Sequence, residues 1–213
     1  MVAPKHPRVN GLPVIGEQRI NNCRHNEGRI GHMANEQPNL IWIDCEMTGL
    51  DLENDVLVEI AVLVTDSDLN VIGEGIDLVI AATPEQLAGM NEFVTQMHTN
   101  SGLITEIPTG ISVSAAEDLI IKYLESASTV AGKSPLAGNS VSVDRSFIAR
   151  DMPRLNDYLH YRTIDVSSVK ELARRWNAKV YFNSPAKTGN HRALGDIQDS
   201  IAELAHYRRN FLI

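Results

Sequence analysis

Apolar and polar positions follow different rules on the two sides of residue 39. Residues 1–38 are rich in Asn, Gly, Pro, Arg and His and carry no apolar period. They are expected to be a disordered leader or part of a mis-called start, with Met33-Ala34-Asn35 as a second plausible beginning. Beyond them come three apolar runs, at 40–46, 56–65 and 71–80, the last preceded by the turn residues Asp68 and Asn70. Runs of this length, rich in β-branched residues and joined by short links, predict an antiparallel meander. The period then changes. Ser114-Ala115-Ala116-Glu117 has the form of a capping box, followed by Leu119, Ile120, Tyr123 and Leu124 at helical spacing. Residues 134–137 predict a short buried strand ending at Gly138-Asn139. A short helix through Phe147 and Ile148 stops near Pro153, and 161–166 reads as another strand. Ser168-Val169-Lys170-Glu171 repeats the capping pattern ahead of Leu172, Ala173 and Trp176. Leu194, Ile197, Ile201 and Leu204 form the apolar stripe of a last helix. A meander followed by alternating helices and strands predicts an α/β fold, a mixed sheet flanked by helices.

Composition narrows the class. A chain of 213 residues suits one domain with a full core, expected over 39–213. No apolar run approaches a membrane span, and the basic N-terminus lacks the apolar stretch of a secretory signal. Cys23 lies in the polar leader and Cys45 in a core strand, so no disulfide is expected between them. A reducing, cytoplasmic setting follows. Charge is uneven: residues 1–32 hold five Lys/Arg and two Glu, a net of +3, which against −8 for the chain leaves −11 on the rest. So acidic a body argues against gripping long nucleic acid through a broad basic face. It leaves open a short anionic substrate held by metal ions and a few basic groups.

The chemistry begins in the first strand. Leu40-Ile41-Trp42-Ile43-Asp44-Cys45-Glu46-Met47 is apolar enough to be buried, yet two carboxylates interrupt it. Strand side chains alternate, so Asp44 and Glu46 share a face and Cys45 takes the other. Two like charges there repel and resist desolvation. Divalent cations, which take carboxylate oxygens together with substrate phosphates, are the usual compensation. An isolated Asp-x-Glu more often lies on a solvated face; apolar flanks and three further residues tip the balance. Asp144 follows the turn-like stretch Gly138-Asn139-Ser140, and His191 precedes Asp196 by five positions at the start of the last helix. Taken alone, Asp196 equally suits a helix-dipole role, and a lone histidine is usually structural. Asp165, another acid in an apolar strand, is kept outside the metal set as a hydrogen-bonding residue.

The series Asp44, Glu46, Asp144, His191, Asp196 resembles the DEDDh exonucleases of the ribonuclease H-like fold. Several stretches narrow the resemblance to the oligoribonuclease family. They are Trp42-Ile43-Asp44-Cys45-Glu46-Met47-Thr48-Gly49-Leu50, Met97-His98 with Ser101-Gly102-Leu103, Ala137-Gly138-Asn139-Ser140, and Tyr161-Arg162-Thr163-Ile164-Asp165-Val166-Ser167. The resemblance implies a 3′-to-5′ exoribonuclease that degrades very short single-stranded RNA, chiefly 5′-phosphorylated dinucleotides, to 5′-mononucleotides. It implies two divalent ions, Mg²⁺ or Mn²⁺, held by Asp44, Glu46, Asp144 and Asp196, with Asp44 bridging them. His191 would be the general base, since imidazole exchanges protons near neutral pH. Independently of the resemblance, the loop residues at 184–190 leave two readings open, a static connector or a segment that lets His191 swing in on binding. Leu50 matches an apolar wedge beside the bases. Phe93 stands where the family carries Trp, so stacking survives with less area. Ser140, Arg162 and Ser167 match a cap for the 5′ phosphate, which the planar fork of Arg suits. His98 and Tyr161 match further substrate positions. A homodimer is implied, with Tyr161 and Arg162 serving the neighbouring subunit.

Three rivals stand beside this reading. Another DEDDh exonuclease would act on longer RNA or DNA 3′ ends. A non-catalytic nucleic-acid-binding module would be expected to have lost a ligand, and none is missing. An acidic Ca²⁺ cluster gives His191 no role, and no EF-hand loop is present.

Overall fold

The computed structural model describes residues 37–189 and 191–212. The leader expected at 1–38 lies almost wholly outside them, as does Cys23. Elements run in the order β1 (Leu40–Met47), β2 (Leu57–Thr65), β3 (Val71–Val79), α1 (Pro84–Ala88), α2 (Glu92–Asn100) and α3 (Leu103–Glu106). There follow α4 (Val113–Ser126), β4 (Pro135–Gly138), α5 (Ser142–Asp151), α6 (Pro153–Tyr158) and β5 (His160–Asp165). The chain closes with α7 (Val166–Trp176), α8 (Ala178–Phe182) and α9 (Ala193–Asn210). The sheet order is β3-β2-β1-β4-β5. β1, β2 and β3 form the expected antiparallel meander, and β4 and β5 run parallel to β1.

The alternation of β1 assigns its two faces to two cores. Ile41, Ile43, Cys45 and Met47 pack with Ile120 and Leu124 of α4 and Phe147 and Ile148 of α5. Leu40 and Trp42 pack with Val166 and Ala173 of α7 and with Ile197, Ile201, Leu204 and Tyr207 of α9. Asp44 and Glu46 continue the Leu40–Trp42 row and therefore face the α9 side. β2, the other inner strand of the meander, is buried along its whole length. Its Thr65 hydroxyl accepts from Trp42 Nε1 at 3.0 Å, so the indole N–H is not left unpaired in the core.

Helix starts differ from the sequence reading in an instructive way. α4 is capped by Ser112, which accepts from Ala115 N, rather than by Ser114. α7 is capped by Asp165, not by Ser168. In both cases a short polar side chain stands two or three residues earlier, and the first residue able to take non-helical backbone becomes the cap. Pro153 ends α5 but also opens α6 at its first turn, where a missing N–H costs nothing. The helices α1, α2, α3 and α8 have four to nine residues, too short to announce themselves by periodicity. Of these α1 carries a true capping box, between Thr83 and Gln86.

Candidate active site

β4 runs beside β1 only at Ile41 and Trp42 and then leaves at Gly138. A Cβ on Gly138 would lie 2.9 Å from Val141 Cγ1 and 3.0 Å from the Ile43 carbonyl, so only glycine lets the β4–α5 turn lie this close. The backbone N–H of Cys45, beyond the end of β4, is taken by Asp144 Oδ1 at 3.0 Å. Asp144 is thereby fixed in the first turn of α5 next to Asp44. From the opposite side, the first turn of α9 brings Asp196 in. One carboxylate oxygen from each of Asp44, Glu46 and Asp196 lies within 4.8 Å of the others, and Asp144 stands beside this group.

So much negative charge in so little water is reflected in the acids. Burial, then the charges of Asp144, Asp196, Glu46 and Glu59, push the Asp44 carboxyl up to about 9. Burial first, then Glu59, Asp196 and Asp144, raise Glu46 to about 8, with Arg192 opposing. Asp144 is raised to about 6 by burial, held back by hydrogen bonds from backbone N–H groups including that of Cys45. Burial also raises Asp196, with His191 and Lys187 opposing. Acids whose oxygens crowd within 4.8 Å of one another are suited to hard divalent cations, which take oxygen donors and offset the repulsion.

His191 is exposed, adopts a left-handed backbone at φ 50°, and sits close enough to Asp196 to favour its ionised form. The chain before it is tied down at Thr188, whose N–H and hydroxyl both donate to Asp199 Oδ2, at 2.7 and 2.9 Å. Sequence pattern alone does not mark the next residue, Arg192. Its Nε donates to Glu59 Oε1 at 2.7 Å, and its Nη1 and Nη2 to Glu106 at 2.9 and 3.2 Å. Glu59 is fully buried on β2, directly across from Glu46 in the ladder. It too could have been found by the signal that flagged Asp44, a carboxylate inside an apolar strand.

The residues matched to substrate contacts divide into groups. Leu50 is 73% exposed on a turn built around Asp55. That carboxylate accepts from Thr48 Oγ1 and Asp51 N, both at 2.9 Å, and a Cβ on Gly49 would strike it at 2.3 Å. Arg150 of α5 braces the same turn through the Leu52 and Asp55 carbonyls. Leu50, Leu52, Ser142, Val143, Ser146 and Phe147 line a cavity of about 210 Å³. Phe93 projects from α2, 75% exposed. His98, by contrast, is fully buried. Its Nε2 pairs with the Met47 carbonyl at 2.9 Å and its Nδ1 faces Glu46 at 3.9 Å with no hydrogen-bond partner. In the single chain it stands behind Glu46 with no surface of its own for a ligand.

Ser140 and Ser167 come together, with their hydroxyls 3.0 Å apart. Asp165 Oδ1 accepts from the N–H groups of both, at 3.1 and 2.8 Å, a structural hydrogen-bonding role. Asn139 links Ser167 to Ser200 of α9. Tyr161 and Arg162 are not brought to this place. The β4–β5 ladder passes from His160 directly to Thr163, so the two residues between them bulge from an edge strand. Both are exposed, with the Arg162 guanidinium 5.3 Å from the Tyr161 ring centre. They lie toward the start of β5, away from the end of the sheet that carries Asp44 and Glu46.

The chain is similar to known exonucleases in sequence and in fold. A family model described as Exonuclease matches residues 41–204. An oligoribonuclease of Streptomyces griseus is 59% identical over 169 residues, which cover 79% of this chain and 84% of that one. One of Corynebacterium diphtheriae is 56% identical over 183 residues, covering 85% and 86%. One of Cutibacterium acnes is 54% identical over 174 residues, covering 82% and 86%. Among solved structures, exonuclease I superposes with a TM-score of 0.66 at 17% identity, over 83% of this chain and 42% of that one. The zinc-bound complex of Escherichia coli exonuclease I with single-stranded DNA gives 0.65 at 16%, over 83% and 41%. The chain thus spans about two fifths of those exonuclease I chains, and at such identity the likeness shows the shared ribonuclease H-like fold alone.

Proposed function

The chain belongs to the oligoribonuclease family of exonucleases, and on that premise we propose that it removes 5′-mononucleotides from the 3′ end of very short RNA, 5′-phosphorylated dinucleotides above all. It is a nuclease, a hydrolase of phosphodiester bonds. The observation that carries the chemical reading is the meeting of Asp44, Glu46 and Asp196 oxygens within 4.8 Å, with the carboxyls of the first two pushed up to about 9 and about 8 by burial and by neighbouring acids. That donor set fits hard divalent ions. Asp44, Glu46, Asp144 and Asp196 would hold two of them, Mg²⁺ or Mn²⁺. Such ions would supply charge stabilisation to the phosphate and to the oxygens that attack and leave. His191, beside Asp196, takes the proton from the attacking water. Asp144 keeps its orientation through Cys45 N–H, and Asp196 through the first turn of α9.

Substrate length would be set around this centre. Leu50 wedges against the bases from its braced turn, and Phe93 offers a second apolar surface. Ser140 and Ser167, paired and backed by Asp165, receive the 5′ phosphate. The outward bulge of Tyr161 and Arg162 supports a homodimer in which these two residues serve the neighbouring subunit's pocket. His98 contributes by backing Glu46. Residues 39–213 form the exonuclease domain, acting in the cytoplasm; no helix among the described residues is long and apolar enough to cross a membrane.

A turnover series tests the reading. Given 5′-phosphorylated RNAs of increasing length with Mg²⁺ or Mn²⁺, the dinucleotide should be consumed fastest, and chelation should stop all turnover. Equal rates for dinucleotides and long strands would favour a longer 3′ end as substrate. Undiminished turnover after chelation would remove the metal centre.

A further inference from the structure

The residue after His191 joins three elements that are far apart in the sequence. Arg192 caps α9, the helix that brings Asp196 to the site. Its guanidinium bridges Glu59 of β2 and Glu106 of α3. The second oxygen of Glu59 accepts the N–H of Ala193, the first residue of α9, at 3.1 Å. One buried carboxylate thus holds both the backbone and the side chain at the start of the helix. Asp196 follows within the same turn, its N–H donating to the Arg192 carbonyl at 3.1 Å.

Glu59 is also the cross-strand partner of Glu46, so their side chains lie on one face of the sheet. Glu59 is nevertheless outside the group of acids whose oxygens converge. Both of its oxygens are engaged, one by Arg192 and one by Ala193 N. A fully buried carboxylate with these bonds removed would carry an uncompensated charge next to Glu46. The cation supplied by Arg192 therefore does two things at once. It neutralises the fifth acid of the cluster, and it fixes where α9 begins.

We propose that Arg192 is the positioning residue of the metal centre: by bridging Glu59 and Glu106 it sets Asp196 in place and holds Glu59 apart from the ligand set. The inference rests on the metal-dependent reading above. Outer-shell partners of this kind govern metal affinity as well as rate, and losing one commonly costs about 10- to 100-fold in either.

The test is Mn²⁺ binding to the full-length protein by calorimetric titration, with kcat, KM for a 5′-phosphorylated dinucleotide and thermal unfolding measured alongside. The variants are Arg192→Met, Arg192→Lys and Glu106→Gln. Arg192→Met should weaken Mn²⁺ binding by about tenfold or more and lower kcat by a similar factor, with KM changed by less than about twofold. Glu106→Gln removes only the exposed arm of the bridge and should shift both quantities the same way by less. Arg192→Lys, which keeps the charge but loses the fork, should recover part of the loss. Mn²⁺ isotherms for Arg192→Met and Glu106→Gln that superimpose on the parent, with only the unfolding midpoint lowered, would reduce the bridge to a brace and overturn the proposal. If Arg192→Met does not fold, the Glu106→Gln isotherm decides by the same criterion. A parent protein that binds no Mn²⁺ overturns the metal centre and this inference together, whereas parental binding with unaltered variants overturns the inference alone.

Discussion

Asp44 is a cost to the fold and, in the proposed chemistry, the centre of the metal site. Its carboxyl is pushed up to about 9 by burial and by four neighbouring acids, so without a cation its ionised form is disfavoured. Asp44→Asn keeps the shape and removes the charge. Turnover of any substrate should fall by about a thousandfold or more, as expected when several kcal/mol of charge stabilisation at the phosphate are lost. In the same variant the chelated protein should unfold at a higher temperature than the parent near neutral pH and above, because the parent must protonate this carboxyl on folding or, above about pH 9, bury its charge. Parental turnover, or a lower midpoint, would contradict the role. Two carboxylates at alternate positions of an apolar strand made this residue legible. Glu59 carries the same kind of signal, but nothing in the sequence pairs it with Glu46 or with Arg192. His98 was legible as a motif residue, but its complete burial behind Glu46 follows from how α2 packs.

Among the elements, the junction of β5 and α7 joins the fold to the proposed phosphate cap. Asp165 ends the strand, caps the helix and accepts from the N–H groups of Ser140 and Ser167. Asp165→Ala should destabilise the protein by about 1–2 kcal/mol, the usual cost of a lost cap, measurable by denaturant unfolding. It should also raise KM for a 5′-phosphorylated dinucleotide more than for its unphosphorylated counterpart, because the two hydroxyls lose their common support. An equal effect on both substrates would separate this network from the phosphate. The long elements here were readable from period alone. The strands of the meander and the stripe of α9 each bury a regular face, and a regular face leaves a regular sequence. The short helices α1, α2, α3 and α8 left little trace, having too few turns to show a period. The caps of α4 and α7 were misplaced by two or three residues because several polar side chains in a row could each close the helix.

For the molecule as a whole, pH and metal ions should act on stability in opposite senses. Asp44, Glu46 and Asp144 titrate higher in the folded chain than the ordinary carboxylate, at about 9, 8 and 6. The folded chain therefore holds more protons than the unfolded one over this range. The stability this contributes is complete below the ordinary carboxylate pKa and is lost as pH rises through these values. Under chelation the unfolding midpoint should fall as pH rises from about 4, the ordinary carboxylate value, to about 9. Saturating Mg²⁺ or Mn²⁺ should raise it most at the alkaline end, since only ionised carboxylates bind the ion. A chelated protein whose midpoint does not respond to pH would contradict this account of the site. By itself the sequence determined the order of the strands and of the longer helices, and the shared face of Asp44 and Glu46. These depend on local period and on residue type, which a linear chain displays. Only the tertiary structure decided that Arg192 and Glu106 close over Glu59, that Asp144 is held by the N–H of Cys45, and that Tyr161 and Arg162 bulge away from Ser140 and Ser167. Each of these depends on register between strands or on contacts across tens of residues, where packing rather than local pattern selects the partner.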